Sequence, residues 1–416
     1  MPSSGSLADF ATHLSVDAAR ARVRDLCVPR ALPAESIDLE RALGRVLASD
    51  VIVPHDLPPF SNSAMDGYAL QGADLASERE RRFRVAGCVL AGAVQVPRFE
   101  TGECIRITTG APLPPGADTV VIKEHVRIDG DEIIVEAGQR SGANVRPAGE
   151  DYRAGELAMR VGDRLTPARL GVLASCGHAT ARVARLPRVA LFVTGDELVP
   201  PDRPLRFGQI HDSNRYSLGG LLRDLGIEPE PIAQLRDDRD ALRVALREAG
   251  ECCDVVISSG GVSAGEADFL PAVVAELGRV HFWKVRMKPG MPVLCGEVGG
   301  ALVFALPGNP VATIATFLAL VRPALLALQG ANAFDARVSK ARLAAAVSKK
   351  HDRTEFLRAR IQSRDDGALW ATPLPGQGSG MLRGVAEADA LIVVPEHARE
   401  LAAGEVVDVV PLAGID

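Results

Sequence analysis

The chain has 416 residues, of which 47% are hydrophobic and 24% charged, and its formal net charge is -6. This composition is typical of a globular protein large enough for about three domains, and the negative charge argues against nucleic acid or an anionic membrane as the principal partner. The seven cysteines include no C-x-x-C pair, so we expect reduced thiols in a cytoplasmic protein.

The first part of the chain is predicted to be helical and then β-rich. Residues 1–16 lack the basic-then-apolar order of a secretory signal, and the next residues, 16–26, are predicted to form a helix. Farther on, the Asp129-Gly130 step between two alternating apolar runs predicts a β-hairpin over 126–135. The segments 59–69 and 108–112 read as loops that offer polar donors and one acid.

The pattern changes in the next part of the chain, where predicted apolar strands alternate with predicted amphipathic helices. The strands are predicted at 189–193, 254–257, 280–285 and 302–306, and apolar residues spaced i, i+3, i+4, i+7 mark the helices between them. This alternation predicts a three-layer α/β domain with a mostly parallel sheet. The apolar run 310–328 contains Arg322 and Pro323, so we predict a buried helix rather than a membrane span.

The last part of the chain is β again, with strands predicted at 356–363, 368–373, 391–395 and 406–411. These regions together predict a multidomain fold of the α/β plus β class. Its predicted parts are a small discontinuous linking domain (17–54 and 149–187), a β-rich domain (55–148), an α/β domain (188–330, with 1–16 packed on it) and a C-terminal β-barrel-like domain (335–416).

The loop 258–268, Ser-Ser-Gly-Gly-Val-Ser-Ala-Gly-Glu-Ala-Asp, is the strongest candidate for chemistry. It follows a predicted strand, and ligands of parallel sheets bind at the carboxyl ends of strands. Its small residues offer amides and hydroxyls to an anion at a helix start. Glu266 and Asp268 would repel that anion unless a cation such as Mg²⁺ lay between them. The alternative is a tight turn in which Glu266 is an ordinary helix cap.

Acids also follow other predicted strands or precede helices. Glu197 lies in Thr-Gly-Asp-Glu-Leu, Asp212 and Asn214 lie in Ile-His-Asp-Ser-Asn, and Asp237 directly precedes a helix. Each has an ordinary interpretation, as a solvated loop acid, a helix N-cap or a partner of the helix dipole.

Three cations fall at alternating positions of one predicted strand: Lys284, Arg286 and Lys288. Alternation would place them on one face, where they would form a pocket for phosphates or an oxyanion. The alternative is an edge strand protected by lysines. The last helix is preceded by Leu-Pro-Gly-Asn-Pro (306–310), a turn that two prolines stiffen.

Seven segments in order resemble motifs of the molybdopterin molybdotransferase family, which includes bacterial MoeA and the gephyrin E domain: 61–69, 109–112, 194–198, 212–215, 258–268, 284–290 and 306–310. The resemblance implies an L-shaped homodimer that converts adenylylated molybdopterin and molybdate into molybdenum cofactor and AMP with Mg²⁺. It further implies a site between protomers, reached by Asp66 and Thr109 of the partner protomer. A molybdopterin adenylyltransferase and cofactor-accepting apoenzymes are possible protein partners.

The resemblance also assigns roles by position. The catalytic positions it implies are Asp66, Thr109, Glu197, Asp237, Asp268, Lys284 and Lys288, of which Glu197, Asp237 and Asp268 are the metal candidates. The substrate-binding candidates are Ser258, Ser259, Gly260, Gly261, Ser263, Asp212, Asn214, Pro307, Gly308 and Pro310.

One departure and three alternatives accompany this resemblance. Family members often carry a lysine where this chain has Met291, so oxyanion affinity is altered or another base such as Arg286 substitutes. The alternatives are a molybdopterin adenylyltransferase, a non-catalytic gephyrin-like scaffold, and a tungstate-specific enzyme, since tungstate has similar size and charge.

Overall fold

The computed structural model describes residues 11–75, 78–262, 269–334, 338–365 and 367–412. The chain divides into two compact units. The larger unit comprises Met1–Ser49, Val161–Pro167 and Thr180–Asp416, and the smaller comprises Asp50–Arg160 and Ala168–Ala179.

A seven-stranded sheet organises the larger unit. Its strands lie in the order Ala11–Leu14, Gly278–Val285, Leu294–Val298, Ala301–Leu306, Val255–Ser259, Val189–Thr194 and Ile232–Leu235. Only Leu294–Val298 runs antiparallel to its neighbours, and the other pairings are parallel. Three central strands are buried along their whole length, as expected for a parallel sheet covered on both faces. The predicted mostly parallel sheet is confirmed.

Helices cover both faces of this sheet, which gives three layers. Alternate strand residues supply two separate cores: Leu191, Ile257 and Phe304 lie in one, whereas Phe192 and Val256 lie in the other. The helices of the first face are Val16–Cys27, Asn214–Arg223, Pro310–Thr316, the π-helical Phe317–Val321 and Arg322–Leu328, and those of the second are Arg239–Cys252 and Leu270–Leu277.

One helical stretch within the described residues, Pro310–Leu328, is long and apolar enough to cross a membrane. The whole of its apolar window is buried inside the protein. It packs in the first of the two cores, so it has the position of a core helix, as its sequence predicted.

The C-terminal region of the larger unit forms a closed five-stranded barrel. Its strands pair in the order Thr354–Ser363, Leu369–Pro373, Ser339–Leu343, Val406–Pro411 and Ala390–Val394, and the last pairs back with the first. A sixth short strand, Met287–Lys288, pairs with Thr354–Ser363 in parallel. A short helix, Leu382–Ala386, lies between two barrel strands in sequence. The predicted barrel-like domain is confirmed.

The smaller unit contains a six-stranded sheet with an apolar core on each face. Its strands lie in the order Thr119–Ile122, Gly67–Leu70, Glu103–Ile107, Arg81–Val89, Glu132–Val135 and Val126–Asp129. The predicted hairpin is present, because the last two strands are antiparallel neighbours joined through Gly130, whose φ is 66°.

The segments predicted to link the domains are shared between the two units. In the larger unit, Ala34–Asp38 pairs with Thr180–Ala184. In the smaller unit, Val51–Ile52 pairs with Leu157–Met159. The exact domain boundaries stay a prediction.

Candidate active site

A cavity of about 540 Å³ lies at the carboxyl ends of the central parallel strands. It is lined by Val193, Thr194, Glu197, Leu198, Ile210, His211, Asp212, Ser213, Asn214, Ser259, Gly308, Asn309, Pro310, Gly380 and Leu382. This is the edge at which doubly wound sheets bind ligands. Six of the sequence-derived candidates meet here: Glu197, Asp212, Asn214, Ser259, Gly308 and Pro310.

Asn214 joins three loops of this cavity. It is the first residue of the helix Asn214–Arg223, and its side-chain amide donates to Ser259 Oγ at 2.8 Å and to the Gly308 carbonyl at 2.7 Å. Within the described chain, its Oδ1 is buried and accepts no hydrogen bond, and the same is true of the buried Ser258 hydroxyl. Buried polar atoms without partners are rare. Asn214 lines the cavity, so its Oδ1 is a candidate ligand-binding atom, whereas Ser258 is not among the residues that line it.

The two glycines that follow Ser259 are used by the fold itself. Gly260 and Gly261 have φ values of 97° and 65°, in the left-handed region. A Cβ on Gly260 would lie 2.6 Å from the carbonyl oxygen and the hydroxyl of Thr194. The Gly260 N–H donates to the Leu306 carbonyl at 3.0 Å, so it is not free to bind an anion. For Gly260, the simple interpretation as a tight turn is sufficient. Ser263, Glu266 and Asp268 lie outside the described residues.

The candidate acids differ in what they already bind. Asp212 is buried, and its Oδ1 accepts the Arg215 N–H at 3.1 Å, as a helix cap would. Glu197 lines the cavity and folds over Gly195. Asp237 is half-buried and follows the strand beside Val189–Thr194. The described residues contain no cluster of three or more His, Cys, Asp or Glu suited to a metal.

The expectation of three cations on one face of a strand is wrong. The strand Gly278–Val285 ends before the second of the three positions, Arg286, and Lys284 has a φ of 66°, which breaks the alternation. Its ammonium lies 4.4 Å from the Trp283 ring centroid, a cation–π contact. Arg286 pairs with Glu396 at 2.7 Å. Because Arg286 is engaged in this pair, it is a poor substitute for a lysine at Met291.

Lys288 belongs to the short strand that pairs with the barrel. Its Nζ lies 2.8 Å from Glu355 Oε1. Among the described residues, neither Lys284 nor Lys288 lines the 540 Å³ cavity.

The Pro307-to-Pro310 turn is fixed by hydrogen bonds. The Pro307 carbonyl accepts from the Thr313 hydroxyl at 2.6 Å and from Ser259 Oγ at 3.3 Å. Pro310 begins the helix Pro310–Thr316, where its missing N–H costs nothing. Gly308 and Pro310 line the cavity, whereas the Pro307 carbonyl accepts the hydrogen bonds that hold the turn.

Asp66 and Thr109 form a cluster of their own in the smaller unit. Asp66 Oδ1 accepts the Thr109 backbone N–H and hydroxyl, both at 2.9 Å, and Lys123 Nζ lies 3.7 Å from Oδ2. These contacts, led by the backbone hydrogen bond, lower the pKa of the Asp66 carboxyl. The next residue, Gly67, has no room for a side chain, because a Cβ there would lie 2.0 Å from the Val121 carbonyl oxygen. The two loops therefore present one ionised carboxylate.

Sequence reasoning missed the contribution of the barrel region. Gly380 and Leu382 line the cavity, and the Val311 N–H donates to the Ser379 carbonyl at 3.1 Å. The buried Arg358 donates to the carbonyls of Gly376 (2.7 Å) and Gly378 (3.0 Å), which holds this segment in place. The available signal was an arginine directly after the apolar pair Phe356-Leu357 of a predicted barrel strand.

Comparison with known proteins agrees with this architecture along the chain. Family models match at residues 14–177 (MoeA N-terminal region, domain I and II), 190–327 (probable molybdopterin binding domain) and 340–412 (MoeA C-terminal region, domain IV).

Individual relatives cover nearly the whole chain. The molybdopterin molybdenumtransferase of Haemophilus influenzae is 35% identical over 400 residues, which are 96% of this chain and 98% of that protein. The Staphylococcus aureus (strain COL) enzyme of the same name is 33% identical, covering 91% of each chain. A crystal structure of the molybdopterin biosynthesis moeA protein from Pyrococcus horikoshii OT3 superposes with a TM-score of 0.81 at 29% identity, covering 96% of this chain and 100% of that one.

Fold and cavity thus define a multidomain α/β enzyme of the transferase class with the MoeA domain order. The chain belongs to the molybdopterin molybdenumtransferase family.

Proposed function

We propose that this enzyme inserts molybdenum, supplied as molybdate, into adenylylated molybdopterin and releases molybdenum cofactor and AMP. The observation that carries the proposal is the strand-end cavity in which the Asn214 side chain is hydrogen-bonded to Ser259 and Gly308, while its own Oδ1 has no partner among the described residues. Such a site suits a pyrophosphate-linked substrate at a parallel sheet edge.

Molybdate is a doubly charged oxyanion, and it needs cationic donors. We assign this role to Lys284 and Lys288. Tungstate has the same charge and similar size, so competition between the two oxyanions at these lysines is part of the proposal.

Mg²⁺ is the metal that the donor chemistry fits best. It is commonly bound by one or two carboxylates together with substrate phosphates, so a pair of acids is sufficient. Glu197 lines the cavity, and the unpartnered Asn214 Oδ1 is a further hard oxygen. Asp237 and Asp268 complete the proposed set. When bound, Mg²⁺ would offset the negative charge of the pyrophosphate.

We further propose a cytoplasmic homodimer in which Asp66 and Thr109 serve the cavity of the partner protomer. The half-exposed, ionised Asp66 carboxylate is compatible with that role. A molybdopterin adenylyltransferase and cofactor-accepting apoenzymes are the proposed protein partners. A strictly monomeric protein at micromolar concentration would contradict the role of Asp66 and Thr109 across protomers.

Two other functions are not favoured. An adenylyltransferase of this type would be smaller and would need neither the N-terminal nor the C-terminal region, both of which match MoeA models. A pure scaffold would not need an intact polar network around an open cavity.

The decisive experiment supplies adenylylated molybdopterin, Mg²⁺ and molybdate, and follows AMP release and cofactor formation. Molybdate-dependent AMP release is expected, and its absence would refute the function. Asp268→Asn should cut turnover while leaving thermal unfolding unchanged. Wild-type turnover in that variant would remove Asp268 from the site.

A further inference from the structure

The barrel supplies a buried carboxylate to one of the proposed oxyanion-binding lysines. In the parallel pairing of the short strand with the barrel, Lys288 is the direct partner of Glu355. The ammonium and carboxylate are 2.8 Å apart, and the Glu355 side chain is only 7% exposed, whereas that of Lys288 is 44% exposed. A carboxylate this buried is costly unless it is paired, so the ion pair fixes both partners.

The other carboxylate oxygen of Glu355 faces a histidine. His351 Nε2 lies 3.3 Å from Glu355 Oε2. The Arg353 N–H donates to His351 Nδ1 at 3.4 Å, which assigns the proton of the neutral ring to Nε2. Burial is the main cause of the lowered pKa of His351, so the ring is neutral near pH 7. Glu355 therefore lies between the Lys288 ammonium, with which it is paired, and a neutral imidazole whose Nε2 makes no hydrogen bond within the described residues.

The segment that carries these residues is itself held in place. The ammonium of the buried Lys349 donates to the carbonyls of Arg353 and Pro395, both at 2.5 Å, and to that of Glu396 at 3.3 Å. These hydrogen bonds connect the segment just before Glu355 to the turn at Pro395 and Glu396. The carboxylate that meets Lys288 is consequently preorganised by the barrel.

We propose that Glu355 is a positioning residue, which holds the Lys288 ammonium in one place for the incoming molybdate oxyanion. This inference rests on the proposed function. A free lysine has a long flexible stem that binding must immobilise, and a preformed ion pair removes that cost before the anion arrives. The negative charge of Glu355 acts in the opposite direction by repelling the oxyanion. Because Oε1 is paired with the Lys288 ammonium and the Glu355 side chain is only 7% exposed, positioning outweighs repulsion.

The test measures molybdate binding to the full-length protein by equilibrium dialysis, without any turnover. Glu355→Gln keeps the shape but loses the charge, and should weaken molybdate binding about tenfold, as expected for a misplaced binding group. Lys288→Met should weaken it at least as much. The double variant should bind like Lys288→Met alone, because Glu355 acts only through Lys288. Unchanged or tighter binding by Glu355→Gln, or independent effects in the double variant, would overturn the proposal.

Controls separate positioning from loss of fold. Asp408→Asn removes a carboxylate from another barrel ion pair, with Lys340, and should leave molybdate binding unchanged. If Glu355→Gln does not fold, His351→Gln takes its place, with a smaller weakening expected in the same direction and no effect in a Lys288→Met background. An equal weakening in Asp408→Asn would show a general barrel effect and refute the proposal.

Turnover assays distinguish this inference from the proposed function. In an active enzyme, Glu355→Gln should raise KM for molybdate and leave kcat unchanged. A wild-type protein that binds molybdate with the expected variant pattern but releases no AMP would refute the function and leave the positioning role standing. A kcat defect with normal molybdate binding would refute the positioning role alone.

Discussion

Asn214 and Ser259 are joined by a 2.8 Å hydrogen bond from the side-chain amide to the hydroxyl, and the same amide donates to the Gly308 carbonyl. One side chain therefore connects the end of a central strand, the start of the helix Asn214–Arg223 and the turn before the helix Pro310–Thr316. Removing it leaves the buried Ser259 hydroxyl without its donor, at a cost of about 1–3 kcal/mol.

We expect Asn214→Ala to lower kcat/KM for the adenylylated substrate by about tenfold to a hundredfold, because the turn that shapes the cavity is released. Steady-state AMP release measures the effect. Tyr216→Phe, an exposed position on the same helix, serves as the control and should stay near the wild-type value. Equal rates for Asn214→Ala and wild type would mean that the network does not shape the site.

The ionisation of Asp66 gives a second prediction. Thr109→Val removes one of the two Thr109 hydrogen bonds to Asp66 but keeps the backbone donor, so the pKa of Asp66 should rise only part of the way to its ordinary value. Lys123→Met should raise this pKa less, because that charge is a smaller cause. A carboxyl-detected NMR titration of each variant measures it.

The direction in which stability changes with pH follows from the lowered pKa of Asp66. Because the folded state holds Asp66 ionised, its contribution to stability is present above the unfolded pKa of about 4 and is lost as the pH falls through the lower folded value. Thr109→Val should therefore reduce stability more at neutral pH than at strongly acid pH. A pKa of Asp66 that stays the same or falls would contradict this account.

Substitution of Gly260 tests whether the packing of the fold requires a glycine at this position. Gly260→Ala combines left-handed strain of about 1–2 kcal/mol with overpacking of about 1–3 kcal/mol, since its Cβ would contact Thr194. Gly404→Ala in the same unit has a φ of 84° and open space around it, so only the strain applies. Thermal unfolding should therefore show the larger loss for Gly260→Ala, and equal losses would refute the packing argument.

Much of the fold was predictable because its strongest periodicities are local. The strands around Val255–Ser259 and Ala301–Leu306 are continuous apolar runs. Three strands of the seven-stranded sheet were missed, and each is a weaker signal. Ala11–Leu14 and Ile232–Leu235 are edge strands that are not fully buried, and Leu294–Val298 contains a glycine and a glutamate. The site was predictable where a motif follows a strand directly, as with Ser259.

Long-range contacts were not predictable from one sequence. The Lys288–Glu355 ion pair joins positions far apart in the chain. It forms because the short strand Met287–Lys288 pairs with a barrel strand, and no local sequence pattern predicts that pairing. The positive φ of Lys284 likewise breaks an alternation that its sequence would support. Ion pairs formed by tertiary pairing therefore required the structure.

Asp237 and Asp238 offer a matched test of the proposed metal site. Asp238 caps the helix Arg239–Cys252 by accepting the Ala241 N–H at 2.8 Å, and asparagine caps a helix about as well. Asp238→Asn should thus leave stability and Mg²⁺ dependence unchanged. Asp237→Asn should raise the Mg²⁺ concentration for half-maximal AMP release about tenfold or more, because a hard anionic ligand is lost. If both variants match wild type while Glu197→Gln does not, Glu197 is a metal ligand and Asp237 is not.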